Sequence, residues 1–163
     1  MKKNIPNIIT STNLLLGWTS IYFAYLAEIE LAIGAILLAS VLDYFDGFAA
    51  RKLNVQSALG TQLDSFADLV TFGIAPAVIV YFVSSLTLFF VEKNIDFWLF
   101  IILGIIPLLG AIRLARFNTL KEESSFFIGL PIPAFALITV SLIWTYLEYS
   151  SFLVNITNYQ VYL

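Results

Sequence analysis

Four aspartates, Asp43, Asp46, Asp64 and Asp68, stand in otherwise apolar sequence. A mid-membrane aspartate costs about 2.5–3.5 kcal/mol on insertion scales, so four together need compensation even near helix ends. The chain contains no His and no Cys, which excludes thiolate nucleophiles, histidine acid–base catalysis and Cys/His zinc sites. Carboxylate oxygens with neither imidazole nor thiolate beside them select hard divalent ions, Mg2+, Mn2+ or Ca2+. Two such ions would balance the four charges, and paired divalent ions about 3.5–4 Å apart are a general device for in-line displacement at phosphorus. The acids can also cap helices or pair with Arg51 and Lys52, but two bases cannot neutralise four carboxylates.

Spacing places these groups together. Asp43 is followed by Asp46, Gly47, Ala50 and Arg51 at offsets of 3, 4, 7 and 8, one face of a 3.6-residue helix. Gly60, Asp64 and Asp68 recur every four residues and share a face provided their helix begins early. Gly47, Ala50 and Gly60 let a substrate approach the backbone closely, although small residues in membranes also serve helix packing. Arg51 has the bidentate fork that suits a phosphate, although an interfacial Arg is also a topology anchor.

The elements that must carry these residues are membrane helices. The 163 residues are 60% hydrophobic and 12% charged, against roughly 25% charged in soluble domains. Stretches long enough for a bilayer core run from Pro6 to Leu26, Leu31 to Ala50, Asp64 to Phe90, Phe97 to Leu114 and Leu130 to Leu147. The expected fold is therefore all-α, a polytopic transmembrane bundle of five spans, with residues 1–163 forming one membrane domain. The first span reads as a retained helix rather than a cleaved signal, because its apolar run continues through Trp18 and Tyr22. Pro76 and Pro107 are expected to kink the third and fourth spans. The tail from Ser151 to Leu163 is 13 residues long and broken by Asn155 and Asn158, too short to span and expected as a stub. Lys2, Lys3, Arg51, Lys52, Arg113, Arg116 and Lys121 all fall on one side of this topology, leaving Lys93 alone on the other. By the positive-inside rule, the N-terminus and the carboxylates face the cytoplasm.

The string Asp43-Tyr-Phe-Asp46-Gly47-Phe-Ala-Ala50-Arg51, then Gly60, Asp64 and Asp68, resembles the signature of the CDP-alcohol phosphotransferase (CDP-alcohol phosphatidyltransferase) family at all eight of its positions. The resemblance implies transfer of a phosphoalkyl group from a CDP-linked lipid or alcohol to a second alcohol, with release of CMP. It further implies that Asp43, Asp46 and Asp64 hold two divalent cations, Mg2+ or Mn2+, and that Asp68 both touches a metal and accepts the proton of the incoming hydroxyl. Gly47, Ala50, Arg51 and Gly60 would line the nucleotide pocket, joined by Asn7 and Thr10 from the first span. The family expectation of six helices is one more than the five spans found here.

The stretches from Phe72 to Ala77, Ala111 to Asn118 and Gly129 to Ala134 are similar to the phosphatidylserine synthase branch. That branch implies CDP-diacylglycerol and L-serine as substrates, with Arg113 and Arg116 as candidates for the serine carboxylate. Glycerol 3-phosphate and inositol phosphate acceptors would call for similar arginines and remain open. A cation transporter or channel would also carry intramembrane acids, but spread along the membrane depth. Membrane lipids are expected as surroundings and nucleic acid is not expected as a partner. The family resemblance suggests a homodimer, for which Gly73 and Ala77, four apart, would permit close packing.

Overall fold

A three-residue turn folds the first two helices back on each other. The first, α1 (Ile5–Tyr25), ends in a Schellman motif: the Glu28 N–H donates to the Phe23 carbonyl at 2.9 Å and the Ala27 N–H to the Ala24 carbonyl at 3.0 Å. Ala27 has the left-handed conformation this closure requires, with φ of 61°, at a position usually given to Gly. The second helix, α2 (Ile29–Leu53), then returns alongside the first. This computed structural model describes residues 5–53, 57–87, 93–119 and 130–161. Among them there is no strand.

The inner face of α1 is a stripe of small and polar residues. Pro6, Thr10, Asn13, Gly17, Ser20 and Ala24 are all buried, spaced alternately by four and three, the period of a helix packed closely along its length. Lipid is as apolar as a leucine core, so such packing rests on close approach and interhelical hydrogen bonds rather than on burial from water. Ser20 supplies one bond, its hydroxyl donating to the Ala32 carbonyl of α2 at 2.8 Å. Ser20→Ala is expected to lower stability by about 0.6 kcal/mol and by no more than about 1.7, read by reversible unfolding in mixed micelles.

The central rod has three parts: α3 (Ala58–Asp68), a π-helical segment (Leu69–Ile74) and α4 (Ala75–Thr87). It starts six residues before the expected Asp64. Ser57 caps it, accepting the Gly60 N–H on its hydroxyl at 3.0 Å, a standard N-cap arrangement. The π-helical segment ends two residues before Pro76, which has no N–H to offer the Phe72 carbonyl four residues back. Just before it, the Ala75 N–H reaches the Val70 carbonyl, five residues back. Thr71, Phe72 and Ile79 on this rod are completely buried.

Two more helices follow among the described residues. The peripheral α5 (Lys93–Thr119) runs through Pro107 as one helix. It packs on the central rod, where Gly73 faces the backbone of Pro107. Gly73 and Ala77 are both buried inside the chain, so this pair serves intramolecular packing rather than a contact between copies. The last helix, α6 (Ile132–Val161), buries Ile132, Ala136, Val140 and Ile143 on one face. It continues through the tail expected as a stub, so most of that segment extends the fifth rod.

Four of the five rods are long and apolar enough to cross a membrane: Ile29–Phe48, Ala58–Ser85, Asp96–Thr119 and Ile132–Phe152. The 21-residue α1 is long enough, but Asn7, Thr10, Asn13 and Ser20 reduce its mean hydropathy. Its most strongly buried polar groups face the bundle rather than lipid, as an amphipathic helix inside a membrane protein requires.

Candidate metal centre

The early start of α3 puts Gly60, Asp64 and Asp68 on one face, opposite Asp43 and Asp46 of α2. One oxygen each from Asp43, Asp64 and Asp68 lie within 4.8 Å of one another. At an effective dielectric of about 20, each ionised pair at that distance repels by about 3.5 kcal/mol or more. Three such pairs rival the whole stability of an ordinary domain, so the cluster needs cations or protons. Asp46 is 5% exposed and within coulombic reach of the other three.

The third wall of the site is α1. The Thr10 hydroxyl lies 2.8 Å from Asp46 Oδ2 and 2.9 Å from the Pro6 carbonyl, two acceptors sharing one proton. Asn13, which the signature does not include, directs Nδ2 at Asp43 Oδ1 over a long 3.4 Å. Asn7 also faces the site's rim: a Cβ on Gly60 would stand 3.1 Å from Asn7 Oδ1. Glycine at position 60 is what lets α1 approach α3 this closely.

Divalent cations fit this donor set. The ligands are all carboxylate oxygens, the chemistry hard ions prefer, and Asp68 Oδ1 is buried with no hydrogen-bond partner among the described residues. A buried acceptor of that kind is rare without an ion or water to satisfy it.

The remaining predicted site residues are placed less closely. Gly47 is half-buried on the aspartate face of α2. The side chains of Ala50 and Arg51 lie outside the described residues, as do Lys2, Lys3 and Lys121. Arg113 donates from Nη1 to the Leu130 carbonyl, tying α5 to the approach to α6, and Arg116 is exposed. Asn118, one turn beyond Leu114, donates to Ser65 Oγ at 2.9 Å and so anchors the end of α5 beside Asp64. An apolar cavity of about 620 Å3 between α1, α4 and α5 is lined by Trp18, Tyr22, Tyr81, Phe100 and Pro107 among others. It lies toward the opposite end of α1 from Thr10 and has no charged lining group, so it offers nothing to hold an ion or a phosphate.

A helical integral membrane protein with a carboxylate centre of the divalent-metal type is the class this fold and site define. The chain belongs to the CDP-alcohol phosphatidyltransferase family, whose model matches residues 3–162. A Bacillus subtilis protein named CDP-diacylglycerol–serine O-phosphatidyltransferase is 40% identical over 147 residues, covering 87% of this chain and 76% of that protein. Proteins of the same name from Helicobacter pylori strain J99 and Methanocaldococcus jannaschii are 37% and 38% identical over 137 residues. Each alignment covers 83% of this chain, which spans 55% and 58% of those two relatives.

Proposed function

We propose that this chain is a CDP-diacylglycerol–serine O-phosphatidyltransferase, working as a single membrane domain with its centre at the cytoplasmic face. The observation that carries the reading is the gathering of Asp43, Asp64 and Asp68 within 4.8 Å inside the eight-residue signature. The names and extents of the relatives support serine as the acceptor. The seven bases on one side of the topology support the cytoplasmic placement.

Asp43, Asp46, Asp64 and Asp68 would hold two divalent cations, Mg2+ or Mn2+, which when bound neutralise the pyrophosphate and the charge developing at phosphorus. The residues of the chain do the rest. Asp68 accepts the proton of the serine hydroxyl as that oxygen bonds to the phosphorus on the lipid side. The bond from phosphorus to the bridging oxygen breaks, and CMP departs with its electron pair. Gly47, Gly60 and Ala50 admit the nucleotide close to the helix backbone, and Arg51 clamps its phosphates. Asn7 and Thr10 border the same pocket from α1. Arg113 and Arg116, on the last turns of α5, meet the serine carboxylate. The family resemblance supports a homodimer.

A cation pathway would string its acids along the membrane depth, whereas these gather at one level between two helices. The deciding experiment incubates purified protein with CDP-diacylglycerol, Mg2+ or Mn2+ and a panel of alcohols, and measures CMP. L-Serine is expected to drive release. Release with glycerol 3-phosphate alone would move the chain to another branch of its family, and no release with any alcohol would remove the enzyme reading.

A further inference from the structure

Asn13 is completely buried at the level of the carboxylates, and its side chain is only half satisfied. Its Nδ2 points at Asp43 Oδ1, while its Oδ1 is buried with no hydrogen-bond partner among the described residues. An asparagine amide carries two donors and one strong acceptor. Beside acids the donor end must face the carboxylate, because the reverse orientation would set oxygen against oxygen. The acceptor end then needs a donor that the described protein does not supply. Asp68 Oδ1 lacks a partner in the same way, and both residues neighbour Asp43.

The backbone at Asn13 is fixed from outside α1. Its carbonyl accepts the Thr71 hydroxyl at 3.1 Å, and Gly17, one turn on, packs directly against Thr71. The turn of α1 that carries the side chain is therefore fixed against the same rod that carries Asp64 and Asp68.

We infer that Asn13 is a positioning residue of the metal centre, holding Asp43 through Nδ2 and presenting Oδ1 to the hydration shell of a divalent cation bound by the aspartates. Mg2+ and ions like it retain several waters in such sites, and a metal-bound water is a donor of the kind Oδ1 lacks. Outer partners of this type orient the ligands, and their loss typically weakens metal affinity or activity by about 10–100-fold. The inference rests on the metal reading of the carboxylates and assigns to α1 a share in metal affinity.

The test is Mn2+ titration of the purified full chain, following loss of the free-ion EPR signal, with each variant's unfolding also measured in EDTA. Asn13→Leu keeps the branched shape, at a somewhat larger volume, and removes both polar atoms, and Asn13→Ser retains a small hydroxyl. Both are expected to remain folded without metal and to bind Mn2+ about 10–100-fold more weakly. Ser20→Ala, on the same buried face of α1, is expected to bind as the wild type does. A folded Asn13→Leu protein with Mn2+ affinity within about twofold of wild type would overturn the inference, because packing alone predicts that result. So would failure of both Asn13 variants to fold, which would make the residue structural. No Mn2+ binding by the wild type would instead remove the metal reading itself, so the two failures are told apart.

Discussion

Asp68→Asn is expected to lower kcat for CMP release by at least about 10²–10⁴-fold, the range a general base contributes, while leaving the metal-free protein as stable as wild type or more so. The substitution keeps the shape of the side chain and one oxygen for a cation, but an amide cannot take the serine proton. It also removes one of the three acids gathered within 4.8 Å, and an amide N–H beside Asp43 and Asp64 offers a hydrogen bond that needs neither a cation nor a bound proton. Activity and stability should therefore move in opposite directions, which distinguishes loss of chemistry from loss of fold. The measurements are kcat and KM for CMP release at saturating Mn2+, with unfolding in EDTA. A fall confined to kcat is the signature of an interaction made only in the transition state. Activity within tenfold of wild type would take the proton-accepting role away from Asp68.

The face shared by the acids was legible because helical periodicity is local: offsets of three and four within α2 and of four within α3 need no knowledge of a partner. The start of α3 was not legible in this way: Ser57 caps it three residues before Gly60, whereas hydropathy alone puts the third span at Asp64. A span search measures membrane crossing and not helix length. The same limit explains the tail, since a 30-residue α6 is about 45 Å long at 1.5 Å per residue and outreaches a bilayer core of about 30 Å. Its last polar residues need not be apolar to be helical. Asn13 could not be found from a motif, because the role inferred for it depends on α1 lying against both Asp43 and Thr71, the latter 58 residues away in sequence. The visible sign was the stripe of Pro6, Thr10, Asn13, Gly17, Ser20 and Ala24, which a hydropathy window averages away. For Gly73 and Ala77 the spacing showed only that something packs closely there, and the partner of Gly73 proved to be Pro107 of α5.

Gly17 is where that close packing has its largest expected effect. A Cβ at this position would meet Thr71 Cα at 2.8 Å and Thr71 Cβ at 3.0 Å, as well as the Thr71 hydroxyl oxygen. A new rotamer could move the hydroxyl but not the Cα, so α1 and the central rod must separate. Ordinary contacts begin at 3.4 Å, and 3.4 − 2.8 requires at least about 0.6 Å. Overpacking of this kind costs about 1–3 kcal/mol, larger than the gain of about 1 kcal/mol from replacing a helical Gly by Ala. Gly17→Ala should therefore destabilise. Gly34→Ala, with nothing within 4 Å of its added Cβ, should be neutral or slightly stabilising. The shift also reaches the chemistry, because Asn13 and Thr10 are one and two turns from Gly17, while Thr71 follows Asp68 by three residues. Moving α1 outward draws Thr10 from Asp46 and Asn13 from Asp43, and misplacement of about 1 Å can reduce a rate by about 10²-fold. At a temperature where both proteins are fully folded, Gly17→Ala should still release CMP at least about tenfold more slowly than wild type, whereas Ile79→Val, a core change on α4 beyond the site, should lose stability without that loss of rate. If Gly17→Ala and Ile79→Val proved equally active when folded, α1 would be a scaffold for the bundle and not a wall of the metal centre.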